Sequence, residues 1–212
     1  MRVLKEDFAT AKKGDFMAAH VIDIRCPGCN APVTTGMKEC EYCGSPVVIS
    51  TFNSVMDIPG PKLRQYTRSY QEDLRNNPDN PELNSSIGMI YLKLKLYDKA
   101  LEAFEKAIED DFDNSETYFY AAVCLLAGKK PFLHLRPTIN KIVDYVNAAN
   151  MIEPKGIYYY FLAYIKQDYH ARKFLNITPN YKAELAEAQA LGVSDIDIDM
   201  VFSACNLPKP VL

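Results

Sequence analysis

Apolar residues recur along most of this chain at the three- and four-residue intervals of helices that bury one face. In residues 63–76, Tyr66, Tyr70 and Leu74 share a face and Pro78 stops the run. In 81–112, Ile87, Gly88 and Tyr91 line one helix, and Ala100, Phe104 and Ala107 line a second from about 97 to 109. Asn80-Pro81-Glu82 opens the first with a capping side chain, a first-turn proline and an acid at the positive helix end. Asn114-Ser115-Glu116 repeats that signal 34 residues later, followed by Tyr118, Ala121 and Ala122, with Gly128 as terminator. Residues 129–137 read as an insertion before a helix over 138–150, with Phe132, Leu133 and Leu135, beside Lys129, Lys130 and Arg136, expected to tuck under the loop, the alternative being an exposed binding loop. A further unit opens at Gly156 with Tyr158, Tyr159, Tyr160, Phe161 and Tyr164. Helices over 181–191 and 194–205 and a tail at 206–212 complete the chain.

The N-terminal part follows a different pattern. Leu4, Phe8 and Ala11 point to a short amphipathic helix within 1–20, a weak dock or a docking peptide. Residues 20–24 alternate with β-branched side chains as a strand would, and Val47-Val48-Ile49 reads as another. Between them stand Cys26, Cys29, Cys40 and Cys43, in the spacing C-x2-C-x10-C-x2-C. Two intervening residues let each pair wrap a turn whose amides face thiolate sulfur, and the spacer folds the second turn beside the first. Asn30 and Gly44 follow the turns where positive φ is needed. Residues 52–62, with Pro59, Gly60 and Pro61, read as a linker that Phe52, Val55, Met56 and Ile58 could pack into a rigid junction.

The cysteine segment resembles zinc ribbons with CPxCG-type knuckles, common in bacterial proteins, over residues 21–51. That resemblance implies a structural Zn2+ held by the four thiolates. Iron in a rubredoxin-like site is the chemical neighbour. A redox pair would need one isolated motif, and a catalytic zinc an open fourth position. The spacing of Ile87, Gly88, Tyr91, Ala100, Phe104 and Ala107 resembles the tetratricopeptide repeat, with Asn84 where that family usually has Trp and Phe112 where it has Pro. The expected fold is mainly α, a TPR-like stack of antiparallel helix pairs over 63–205 behind a small N-terminal β zinc ribbon. In that family the first helices line a concave groove, which maps here to Ser85, Met89, Phe119, Val123, Phe161 and Ile165. The Lys and Asn positions that clamp C-terminal carboxylates of chaperone tails are missing. An amphipathic helix, an extended peptide or the chain's own N-terminal segment is the expected occupant, unless these residues pack against the insertion and last helices.

Composition narrows the function classes. At 212 residues, 48% hydrophobic and 24% charged, the chain is of soluble, globular type. The net charge of −3 provides no overall pull toward nucleic acid or anionic membrane, and no basic run is visible. Lys and Arg balance Asp and Glu over residues 1–50, so the ribbon is poorly equipped for phosphate. No apolar run is long enough to span a bilayer, and residues 1–7 lack a signal core. Phosphate loops, nucleophile elbows and paired helical histidines are missing; His20, His134 and His170 are scattered, and Cys124 and Cys205 read as buried apolar residues. The expectation is a cytoplasmic, bacterial, non-enzymatic adaptor that binds a protein or peptide and can self-associate, with no membrane partner. A zinc-ribbon nucleic-acid protein is the alternative, and a redox or metal sensor the third reading.

Overall fold

The computed structural model describes residues 21–212. The expected amphipathic helix at 1–20 lies outside them. Among the described residues the small β lobe is a hairpin, Asp23–Arg25 (β1) against Pro32–Thr34 (β2), antiparallel with Ile24 opposite Val33. The remainder is helical, beginning with Phe52–Met56 (α1) and Gly60–Asn76 (α2). Three hairpins follow: Pro81–Lys93 (α3) with Tyr97–Asp110 (α4), Ser115–Leu125 (α5) with Arg136–Ile152 (α6), and Gly156–Ile165 (α7) with Tyr181–Ala190 (α8). Asp195–Ala204 (α9) closes the chain.

Local chemistry sets these limits. The Asn80 side chain accepts from the Leu83 amide at 2.9 Å and Asn114 from Thr117 at 3.2 Å, so both start signals cap as expected. The α3–α4 turn needs a left-handed residue, supplied by Lys95 at φ 60. The two helices then meet closely: a Cβ on Gly88 would stand 2.7 Å from the buried Phe104 ring. Only a glycine admits that approach.

The core is continuous from lobe to C-terminus. A file of rings runs through it, from Phe52–Tyr120 (centroids 5.0 Å apart) to Phe119–Tyr158 (4.4 Å, stacked), Phe119–Phe161 (5.4 Å) and Tyr164–Phe202 (5.0 Å). It therefore joins α1, α5, α7 and α9.

Four features differ from expectation. Val47-Val48-Ile49 forms no strand; pairing stops at the Val47 amide, which donates to the Lys38 carbonyl at 3.0 Å, and beyond it the Val47 carbonyl accepts from the Tyr70 hydroxyl at 2.9 Å and the Ile49 amide donates to the Ser86 hydroxyl at 2.8 Å. The stretch 52–62 contains α1, with Phe52 and Val55 buried. Lys93 spends all three ammonium donors on the last carbonyls there, Val55, Met56 and Ile58, at 2.7 to 2.9 Å. The insertion does not tuck its apolar residues away: Pro131 is buried, but Phe132, Leu133 and Leu135 are exposed. Finally, α7 runs on as a π-helical segment, Lys166–Ala171.

Candidate metal centre and the helical repeat

Each cysteine pair sits on the same turn. The Cys26 amide donates to the Ala31 carbonyl and the Cys40 amide to the Ser45 carbonyl, both at 2.8 Å. The amides of Asn30 and Gly44 return to the carbonyls of Cys26 and Cys40, again at 2.8 Å. Closing each turn needs a residue at positive φ, and Asn30 (65°) and Gly44 (66°) supply it. The turns face each other because Glu39 bridges to Pro46 beyond the β1–β2 hairpin, while Gln65 donates to the Gly28 carbonyl at 2.8 Å and anchors the first turn on α2.

The four sulfurs lie within 4.8 Å of one another, with Cys26–Cys43 and Cys29–Cys40 at 3.7 Å. A disulfide would need about 2.05 Å. Four thiolates around a tetrahedral ion at about 2.3 Å stand about 3.8 Å apart, so the donor set fits such an ion with little adjustment. The Gly28 amide points at the Cys26 sulfur at 3.3 Å, as it would to a thiolate. Hydrogen bonds from the Ser45 hydroxyl and amide lower Cys43 to about 6, whereas burial pushes Cys26 up to about 12. Four cysteines can hold a metal ion here, and they fill its shell.

In the helical part, Ile87 and Gly88 of α3 meet Ala100, Ala103 and Phe104 of α4 in a buried seam. Residues 82–109 match the tetratricopeptide repeat model. Two solved structures, "MamA MSR-1 C2" and "Crystal structure of MamA", superpose with TM-scores of 0.49 and 0.45 at 18% and 16% identity. They cover 61% and 68% of this chain and 67% and 69% of their own. No curated protein matches the chain.

The concave face of the repeats is not open. Ser85, Met89, Phe119, Val123, Phe161 and Ile165, assigned to a groove from sequence, are all buried, none more than 4% exposed. Ser85 shares a hydrogen bond with Thr117 at 3.2 Å. Phe119 is packed between Tyr120, Tyr158 and Phe161, and Phe161 against Phe202 of α9. Phe202 of α9 lies against the α7 part of this buried set, and the end of α9 is tied to the α3–α4 turn by Lys95, which donates to the Ser203 and Ala204 carbonyls, and by the Tyr97 hydroxyl, 3.1 Å from the Ala204 carbonyl. Cys205 at this joint and Cys124 are buried thiols, raised by desolvation, in keeping with apolar packing.

A polar cluster escaped sequence reasoning. Lys166 and Glu184, each with a side chain 5% exposed, form an ion pair between the π-helical segment and α8, and the Pro179 carbonyl accepts from the same ammonium at 2.9 Å. Two residues on, Asp168 accepts from the Phe132 amide at 2.8 Å and from Arg172 at 2.6 Å. These bonds fasten the insertion and α8 to one segment. The sequence signal was a charged Lys-x-Asp directly after the apolar run 156–165, which a surface helix would not place there. His170 packs in the same segment, and His134 contacts the Leu126 carbonyl at 3.1 Å.

An open cleft of about 400 Å3 lies between α2, α3 and α4. Leu74, Ile87 and Tyr91 line it with Arg75, Lys99, Lys106 and Glu102; Lys106 pairs with Glu102 at 3.3 Å, and Lys99 stands 5.9 Å from the Tyr91 ring centre.

Proposed function

We propose that the chain is a non-enzymatic protein-interaction adaptor in which structural Zn2+ holds the ribbon and the helical repeats engage a peptide or protein. The match of residues 82–109 to the tetratricopeptide repeat carries this reading, because α3 and α4 also wall the open cleft. With the inner face buried, the cleft takes the role assigned from sequence to the groove. Its apolar residues, with Arg75 and Lys99 outside the Lys106–Glu102 pair, suit a peptide that brings one apolar anchor and flanking acids. Zinc is preferred over iron because a closed thiolate shell binds Zn2+ more tightly than Fe2+ and the zinc ion is redox-inert. The ribbon's neutral charge counts against the nucleic-acid alternative.

The test places a photo-crosslinking residue at Lys99 and, as control, at Lys38 of the ribbon, in the cells of origin. A defined protein adduct from position 99, lost on Lys106→Glu and absent at position 38, is the expected result. Adducts independent of position would overturn the cleft assignment, and a purified chain carrying stoichiometric iron would overturn zinc.

A further inference from the structure

Two loops meet outside the helical hairpins. The turn Pro131–Leu133, between α5 and α6, lies against the π-helical segment after α7. Phe132 is the joint: Arg172 and Lys173 stand 4.4 and 4.9 Å from its ring centre. Around this joint Leu133 is 68% exposed, Leu135 77% and Phe174 94%. Single exposed apolar residues are ordinary; a group on adjoining loops is not.

The loops repeat one chemistry. Lys129-Lys130-Pro131-Phe132-Leu133 in the first corresponds to Arg172-Lys173-Phe174-Leu175 in the second. Neither 129–136 nor 169–183 contains an Asp or Glu, and the flanking Asp168 and Glu184 are paired with Arg172 and Lys166, so Lys129, Lys130, Arg136 and Lys173 form a local surplus of cations in a chain of net charge −3. Arg172 is partly committed to Asp168, but Lys129, Lys130 and Arg136 are exposed and have no acid within their own loop. Phe174 is held at φ 55, a left-handed conformation disfavoured for a bulky side chain, while the next amide, of Leu175, closes on the His170 carbonyl at 2.8 Å.

A side chain 94% exposed has no wall around it, which argues against a peptide groove. Projecting Phe and Leu tips backed by cations match the interface of a bilayer, where rings enter the acyl boundary and ammonium groups sit among phosphates. We propose that this two-loop tip docks on the surface of an anionic lipid bilayer, with Phe174, Leu133 and Leu135 entering the interface. Among the described residues no helix is long and apolar enough to cross a membrane, so the attachment is to the surface. The net charge of −3 and the lack of a basic run gave no expectation of membrane contact; the fold brings Lys129-Lys130 and Arg172-Lys173 onto adjoining loops.

The chain contains no Trp, so Phe174→Trp introduces a single indole, excited apart from the tyrosines at longer wavelength. The full chain should cosediment with vesicles containing phosphatidylglycerol, the indole emission should shift to the blue, and pure phosphatidylcholine vesicles should produce neither effect. Neutralising Lys130 or Lys173 should weaken partitioning by about fivefold each. Phe174→Ser with Leu135→Ser should abolish it while leaving the far-UV spectrum and unfolding midpoint unchanged, since both sites are exposed. No cosedimentation at low salt, or binding insensitive to the serine pair, overturns the proposal. Retention on polyglutamate or RNA without vesicle binding would also overturn it, by assigning the patch to an acidic macromolecule.

Discussion

Gly88 is the residue on which the α3–α4 approach turns. Replacing a helical glycine with alanine ordinarily stabilises by up to about 1 kcal/mol through propensity. Here the added Cβ would stand 2.7 and 2.8 Å from two ring carbons of a fully buried Phe104. Overpacking of that kind costs about 1–3 kcal/mol, so the steric effect wins. Gly88→Ala should therefore lower the urea midpoint, and less so in a Phe104→Leu background, because the two sites share the contact. Equal losses in both backgrounds would place the cost elsewhere. Local requirements of this sort were readable from the chain: positive φ at Asn30 and Gly44, the caps at Asn80 and Asn114, and the small residue at 88 each follow from backbone and volume constraints a few residues wide.

At the level of elements, the ribbon contributes little core of its own. Ile24, Val33, Val47 and Ile49 are buried, yet β1 and β2 have three residues each. A segment this small gains most from the proposed ion held by the four cysteines. Chelating the ion should raise hydrogen exchange across 21–49 while α3 to α8 stay protected, since their hairpins bury their faces against one another. Unchanged protection at Ile24 and Cys40 after metal removal would refute this. The ribbon's exit strand, expected at Val47-Val48-Ile49, failed to form for a reason no local pattern carries. Its backbone groups find Tyr70 and Ser86, from helices far along the chain.

The whole molecule is organised by how α9 returns. Phe202, 1% exposed, closes the file of rings against Phe161 and Tyr164, and the Lys95 and Tyr97 bonds fix the helix end. Phe202→Ala should cost about 3–5 kcal/mol and expose enough of the inner face to bind a hydrophobic dye before global unfolding. A loss below about 1 kcal/mol without dye binding would show that α9 does not seal that face. The same closure moves the open surface to the cleft between α2, α3 and α4 and to the two-loop tip.

The capped helix starts at Asn80 and Asn114, the knuckle turns, the cysteine tetrad and the repeat seam were determined by the sequence alone, because each depends on neighbours within one or two turns of chain or on a short fixed spacing. Which face stays open was decided only in three dimensions. An apolar stripe states that a face must be covered, not by what; α9 and the ribbon's end supply part of the cover from opposite ends of the chain. The Lys166–Glu184 pair and the joined basic loops have the same origin, since charges from distant segments acquire partners or reinforce one another only once packing sets the distances between them.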